Sequence, residues 1–192
     1  MNKNTSKMIK ISLLSALALI LMYLDFPVIP IFPWLKIDLS DVPALLGAFG
    51  FGPSAGILIE LIKNILVILI KGSSTGLVGE VANFLVGVAL ILPASLMYNR
   101  NKNKKSAILG MILGLVCIEV VGIVANVYFL LPAYGMKMSS AEIMKYVTVG
   151  LIPFNGIKAI IVSVLTYVLY KKVSVLIFKS ESNFSTSKSD NI

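Results

Sequence analysis

Histidine is absent from the 192 residues, and cysteine and tryptophan each occur once. Without imidazole the chain has no conventional Cys–His or zinc site, and it lacks the commonest general base and pH switch. The lone Cys117 excludes an intramolecular disulfide, and its apolar surroundings predict a packing role. Charge is also scarce. Only 14% of residues are charged, against about 25% in soluble domains. What is abundant is apolar surface: 57% of residues are hydrophobic and mean hydropathy is +0.92. A soluble core of this size could not hide that surface, so lipid is its solvent and one membrane-embedded unit is expected.

The net charge of +8 does not point to nucleic acid, because the basic residues form no patterned face. They sit between apolar runs, as membrane topology requires. Lys3, Lys7 and Lys10 precede the first run, and Arg100, Lys102, Lys104 and Lys105 follow the fourth. Lys171, Lys172, Lys179 and Lys188 close the chain. The alternate connections carry only Lys36, Lys71, Lys137 and Lys145. The positive-inside rule therefore puts both termini in the cytoplasm. The opening MNKNTSKMIK and the run after it look superficially like a signal peptide. With no clear small-x-small cleavage site, the run is expected to stay as a first helix.

The pattern predicts an all-α membrane protein of about six helices. Residues 1–10 form a cytoplasmic segment, 11–178 the membrane domain and 179–192 a disordered cytoplasmic tail. The expected helices are 11–26, 41–50, 54–70, 77–97, 106–131 and 146–175, with longer connections at 27–40 and 132–145. The first connection is stiffened by Pro27, Pro30 and Pro33 and carries Trp34, read as an interfacial anchor or as part of a lid. Helix 41–50 is too short to cross about 30 Å, and Ser40 with Asp41 is expected to cap its first amides.

Ionisable and amide groups inside apolar runs are costly and mark function or mutual pairing. Glu60 and Lys63 share a helix face and are expected chiefly to neutralise each other. Glu80 with Asn83, then Asn126, then Asn155 with Lys158, fall at similar outer depths on three helices. Convergent polar groups in an apolar cavity suit a small-molecule site. Asp38 and Asp41, at the start of the short helix, join Glu80, Asn83, Asn126, Asn155 and Lys158 as candidate substrate-binding residues. No metal ligands and no catalytic set are expected. Interhelical glue, or pairing of Lys158 with Glu80 or Glu119, is the alternative. Ser12 and Ala16, four apart, permit close approach of another helix, inside the bundle or outside it.

D-x-S-D-x-P-A-L-x-G (38–47), F-G-P-x-x-G (51–56), E-L-I-K-N (60–64), V-G-E-V-A-N-F-L-V-G (78–87) and P-F-N-G-I-K (153–158) occur in order. This set resembles the S components of energy-coupling factor vitamin transporters, most closely the riboflavin-specific ones, over roughly residues 8–178. The resemblance implies a non-enzymatic, high-affinity riboflavin-binding subunit without a cofactor, in the bacterial cytoplasmic membrane. It implies partnership with a transmembrane T subunit and two cytoplasmic ATPases. It carries vitamin contacts onto Asn126, Asn155 and Lys158, and onto Glu80 through the fourth block. It also makes loop 27–40 a cap over the vitamin and Ser12 and Ala16 a T-subunit contact, with Ser12 where the family often has Ala. Toppling of the loaded subunit in the membrane is a further implication.

The chain has no G-x-x-x-x-G-K-[ST] phosphate loop, so energy for uphill transport must come from partners. Rival readings are an S component for thiamine, another vitamin or a flavin nucleotide, and an intramembrane enzyme using Glu60, Glu80 or Glu119. A self-sufficient ion-coupled carrier is the third, weakened by the lack of an evident inverted repeat.

Overall fold

The computed structural model describes residues 3–73 and 75–176. Among the described residues five helices are long and apolar enough to cross a membrane, and a sixth, shorter one is apolar too. Helix α1 spans Lys3–Met22, α2 Asp41–Phe51, α3 Pro53–Lys71 and α4 Val78–Arg100. The fifth crossing begins as α5 (Lys104–Ala125), passes through a π-helical stretch, π1 (Asn126–Leu130), and ends in α6 (Leu131–Ala133). The last crossing runs through α7 (Ser140–Lys145), π2 (Tyr146–Leu151) and α8 (Ile152–Leu176). The predicted helical membrane bundle is the observed architecture.

Several boundaries differ from those expected. Lys3–Lys10 is already helical, because backbone hydrogen bonding continues past the apolar stretch that hydropathy detects. The 27–40 connection is not open chain. Strands β1 (Phe26–Pro27) and β2 (Lys36–Ile37) pair antiparallel at its base, joining Phe26 to Ile37 and Pro27 to Lys36. The second connection ends at Ser139, whose hydroxyl and the Glu142 carboxylate form a capping box for α7. The Ser-x-x-Glu spacing that makes this cap is a local sequence signal for a helix start six residues earlier than expected. The 179–192 tail lies outside the described residues.

Helix α2 is the hub. It packs against α1, α3, α4 and α8, and every residue from Asp41 to Phe49 is buried. Eleven residues rise only about 16 Å, so α2 ends within the bundle and its last carbonyls need partners there. Gly52 N–H and Asn99 Nδ2 donate to Ala48 O at 3.0 and 3.3 Å. Tyr170 OH reaches Phe49 O at 3.5 Å, and Lys7 Nζ reaches Phe51 O at 3.2 Å. Gly52, at φ +101°, then turns the chain into α3, with Pro53 opening that helix. These contacts gather Lys7, Asn99 and Tyr170 at one end of the bundle, which puts the neighbouring basic clusters on a common side.

Close helix approach has a plain cause between α4 and α5. A Cβ on Gly110 would lie 2.7 Å from Ala94 O, and one on Gly114 would lie 2.5 Å from Leu90 O. The pair is a G-x-x-x-G spacing that lets two backbones touch. Ser12 and Ala16 do not serve that purpose within the chain. Both are exposed, whereas Ile11, Leu14, Ser15 and Ala18 form the inward seam of α1. Cys117 is half-buried rather than buried.

Candidate functional site

The polar centre of the bundle begins at the N-terminus of α2. Asp41 is fully buried and bridges two lysines. Its Oδ1 lies 2.6 Å from Lys63 Nζ, and its Oδ2 lies 2.9 Å from Lys158 Nζ. Lys63 also contacts Glu60 Oε2 at 2.8 Å and donates to the Ser40 hydroxyl at 2.6 Å. The expected Glu60–Lys63 neutralisation is therefore present, but it is one edge of a larger cluster. The Asp41 bridge repays part of the desolvation cost that each buried ion carries. Lys158 pairs with Asp41, not with Glu80 or Glu119. The expected Ser40 cap is not made either: the Ser40 side chain takes Lys63, and Asp38 Oδ1 accepts the Ser40 amide at 2.7 Å.

Beside this cluster lies a cavity of about 210 Å³. Trp34, Leu35 and Lys36 of the first connection form one wall, and Gly79, Ala82, Asn83 and Val86 of α4 form another. Asn126 and Leu130 of π1, Tyr134, and Phe154, Asn155 and Lys158 of α8 complete it. Four candidates from three separate crossings, Asn83, Asn126, Asn155 and Lys158, thus meet around one space. Two larger apolar grooves, of about 300 and 280 Å³, lie between α5 and α8 and between α4 and α5. They present almost no polar groups, as suits surfaces that lipid covers.

The polar atoms of the cavity are held in defined orientations. Asn126 Nδ2 donates to Gly122 O at 2.8 Å, while its Oδ1 accepts from Tyr146 OH at 3.0 Å. Asn155 Nδ2 faces Glu119 Oε2 at 3.4 Å. Gly122 makes room for this arrangement, because a Cβ there would meet the Asn155 amide at 2.5 Å. Asn83 Oδ1 is buried without a protein hydrogen-bond partner, an acceptor left over for something else. Lys36, also on the cavity wall, pairs with Asp25 at 3.3 Å.

Three of the candidate residues do not line the cavity. Glu80 receives a 2.7 Å hydrogen bond from Ser73 Oγ, which ties it to the turn before α4. Asp38 and Asp41 are buried behind the wall, Asp38 against the Ser40 amide and Asp41 against the lysines. Tyr146, at the expected join of loop and helix, is the residue that sequence reasoning misses. A Cβ on Gly87 would lie 2.5 Å from Glu60 Oε2, so α4 needs glycine there to pass the buried carboxylate. The sequence Gly-Ser-Ser-Thr-Gly at 72–76 has the letter spacing of a hydrolase nucleophile elbow. It joins two helices in a chain without histidine, and so lacks both the strand–turn–helix context and the base.

The chain is similar to known proteins over most of its length. The family model described as "ECF transporter, substrate-specific component" matches residues 6–170. A riboflavin transporter, RibU, of Staphylococcus aureus (strain TCH60) is 40% identical over 176 residues, covering 90% of this chain and 92% of that one. A riboflavin transporter, FmnP, of Bacillus subtilis (strain 168) is 35% identical over 182 residues, covering 92% and 96% respectively. A solved structure, described as the S component of a bacterial ECF transporter, superposes with a TM-score of 0.77 at 38% identity. It covers 91% of this chain and 98% of its own. The matched region takes in every crossing and all the cavity walls, and on that basis the chain belongs to the substrate-specific components of ECF transporters, a family of multi-pass membrane transport proteins.

Proposed function

We propose that this chain is the riboflavin-binding subunit of an energy-coupled uptake system in a bacterial cytoplasmic membrane, with both termini in the cytoplasm. The observation that carries the reading is the convergence of Asn83, Asn126, Asn155 and Lys158 beneath the Trp34 wall. The names of relatives at 40% and 35% identity supply the vitamin.

The chemistry suits a flavin. The isoalloxazine is flat and apolar on both faces, and one edge alternates carbonyl acceptors with an imide donor. Amides offer both functions, and the Lys158 ammonium donates to ring carbonyls or nitrogen. Phe154 and Trp34 offer apolar surface for the ring. Asp41 compensates the Lys158 charge, which suits a neutral ligand. Uphill movement would be driven by partners: a transmembrane T subunit and a pair of ATPases. The exposed α1 face holding Ser12 and Ala16 is the proposed T-subunit contact.

The test is a titration of purified, flavin-free protein with riboflavin, following flavin emission and Trp34, the one tryptophan. Saturable quenching that thiamine and biotin do not compete supports the proposal. A flat titration on folded protein rejects riboflavin as the ligand.

A further inference from the structure

Two parts of the cavity wall, distant in sequence, are joined by a single side chain. Tyr146 is 1% exposed and packs edge-on against Phe32, with ring centroids 5.0 Å apart and planes at 72°. Its hydroxyl accepts a hydrogen bond from Trp34 Nε1 at 3.4 Å and donates to Asn126 Oδ1 at 3.0 Å. Asn126 in turn donates to Gly122 O at 2.8 Å. The donated protons therefore run one way, from the loop through Tyr146 and Asn126 into the α5 backbone.

The backbone is shaped for this contact. Asn126 opens π1 and Tyr146 opens π2, the two π-helical stretches among the described residues. A π turn admits an extra residue and re-aims the side chains beyond it, a device found often at functional sites. Gly150, on the next turn of π2, leaves the slot that Phe32 fills. A Cβ there would lie 2.8 Å from Phe32 Cδ2 and 3.3 Å from the Tyr146 ring. The cavity, at about 210 Å³, is below the range of about 300–1,000 Å³ usual for drug-sized ligands. A ligand the size of a flavin needs more room than this, and the Trp34 wall, contributed by a connection rather than a crossing, is tied to Tyr146.

We infer that Tyr146 is a positioning residue: its hydroxyl ties the Trp34 loop to the Asn126 amide, so that loop displacement and release of that amide are one event. The hydroxyl fixes the Asn126 carbonyl toward Tyr146, leaving one N–H and one lone pair of that amide for the cavity. The role in ligand exchange rests on the flavin site proposed above; the loop tie itself does not.

The experiment compares the full-length wild type with Tyr146→Phe, which keeps the ring and deletes the hydroxyl. Tyr128→Phe, at a 70% exposed tyrosine, serves as the control. In ligand-free protein, acrylamide quenching of Trp34 should rise about two-fold in Tyr146→Phe, with the melting midpoint lowered by only a few degrees for the partners left unpaired. With riboflavin, association and dissociation should both quicken, dissociation by about five-fold or more, because the hydroxyl's hydrogen bonds to Trp34 and Asn126 are both lost. Gly150→Ala, whose methyl crowds Phe32 and reaches the Tyr146 ring but leaves the hydroxyl in place, should also raise Trp34 quenching. Wild-type quenching in Tyr146→Phe overturns the inference, whatever Gly150→Ala does. Raised quenching in protein that binds no riboflavin retains the loop tie and rejects only the flavin reading. Quenching that rises without any change in riboflavin exchange rates overturns the coupling to Asn126.

Discussion

Lys158 Nζ lies 2.9 Å from Asp41 Oδ2, and neither side chain is more than 5% exposed. The residues are far apart in sequence, and the contact joins the cavity wall to the first turn of the short hub helix. Because Asp41 also holds Lys63 at 2.6 Å, the position of the cavity lysine depends on a carboxylate that does not line the cavity. Removing one partner of a buried pair leaves the other uncompensated. Asp41→Ala should cost about 3–5 kcal/mol of stability, measured as a lowered melting midpoint in detergent. Combining it with Lys158→Met should recover part of that loss, and simple additivity would refute the coupling.

Gly87 separates α4 from Glu60. An added methyl would lie 2.5 Å from Oε2 and 2.8 Å from Cδ of a carboxylate already held by Lys63. Gly87→Ala should destabilise by about 1–3 kcal/mol through overpacking. Gly156→Ala, whose Cβ would find Glu119 Oε1 at an ordinary 3.6 Å, should be near neutral. Paired melting curves decide this, and equal midpoints would contradict the packing account.

Asn83 separates ligand binding from folding. Its buried Oδ1 has no protein partner, so truncation breaks no hydrogen bond of that atom. Asn83→Ala should leave the melting midpoint within about 1 °C of wild type while weakening riboflavin binding about ten-fold, near the upper range for a buried hydrogen bond. Titration alongside a melt reads both. Unchanged affinity would remove Asn83 from the site.

The α1 face gives a prediction about assembly. Ser12 and Ala16 are exposed on a helix whose inward seam is complete without them. Ala16→Trp should leave riboflavin titration unaltered and abolish ATP-driven uptake in vesicles that contain the coupling partners, because small residues set the approach distance. Normal uptake would mean that the T subunit docks elsewhere.

Much of this arrangement is legible from sequence where a signal is local. The brevity of α2 follows from Gly50, Gly52 and Pro53, and the Glu60–Lys63 pair follows from helical spacing. Cavity residues Asn126, Asn155 and Lys158 stand out as polar groups in apolar runs. Other features give no local signal. Glu80 shares a face with Asn83, which suggests a joint role, yet Ser73 draws its carboxylate to the turn. Tyr146 is hidden because tyrosine at a helix start is ordinary until Trp34 and Asn126 arrive beside it. The π-helical stretches are invisible because they are set by what they pack against.

The sequence by itself determined that the chain lives in lipid, how many apolar segments it has, and which buried residues need partners. These are sums over neighbouring residues: hydropathy, charge bias and the cost of burying a polar group. Only the tertiary structure decided the partners, giving Lys158 to Asp41, Gly87 to Glu60 and Tyr146 to both Trp34 and Asn126. The physical reason is that pairing depends on the rotation and depth of one helix relative to another. Apolar periodicity restrains those variables weakly when lipid is as apolar as the core.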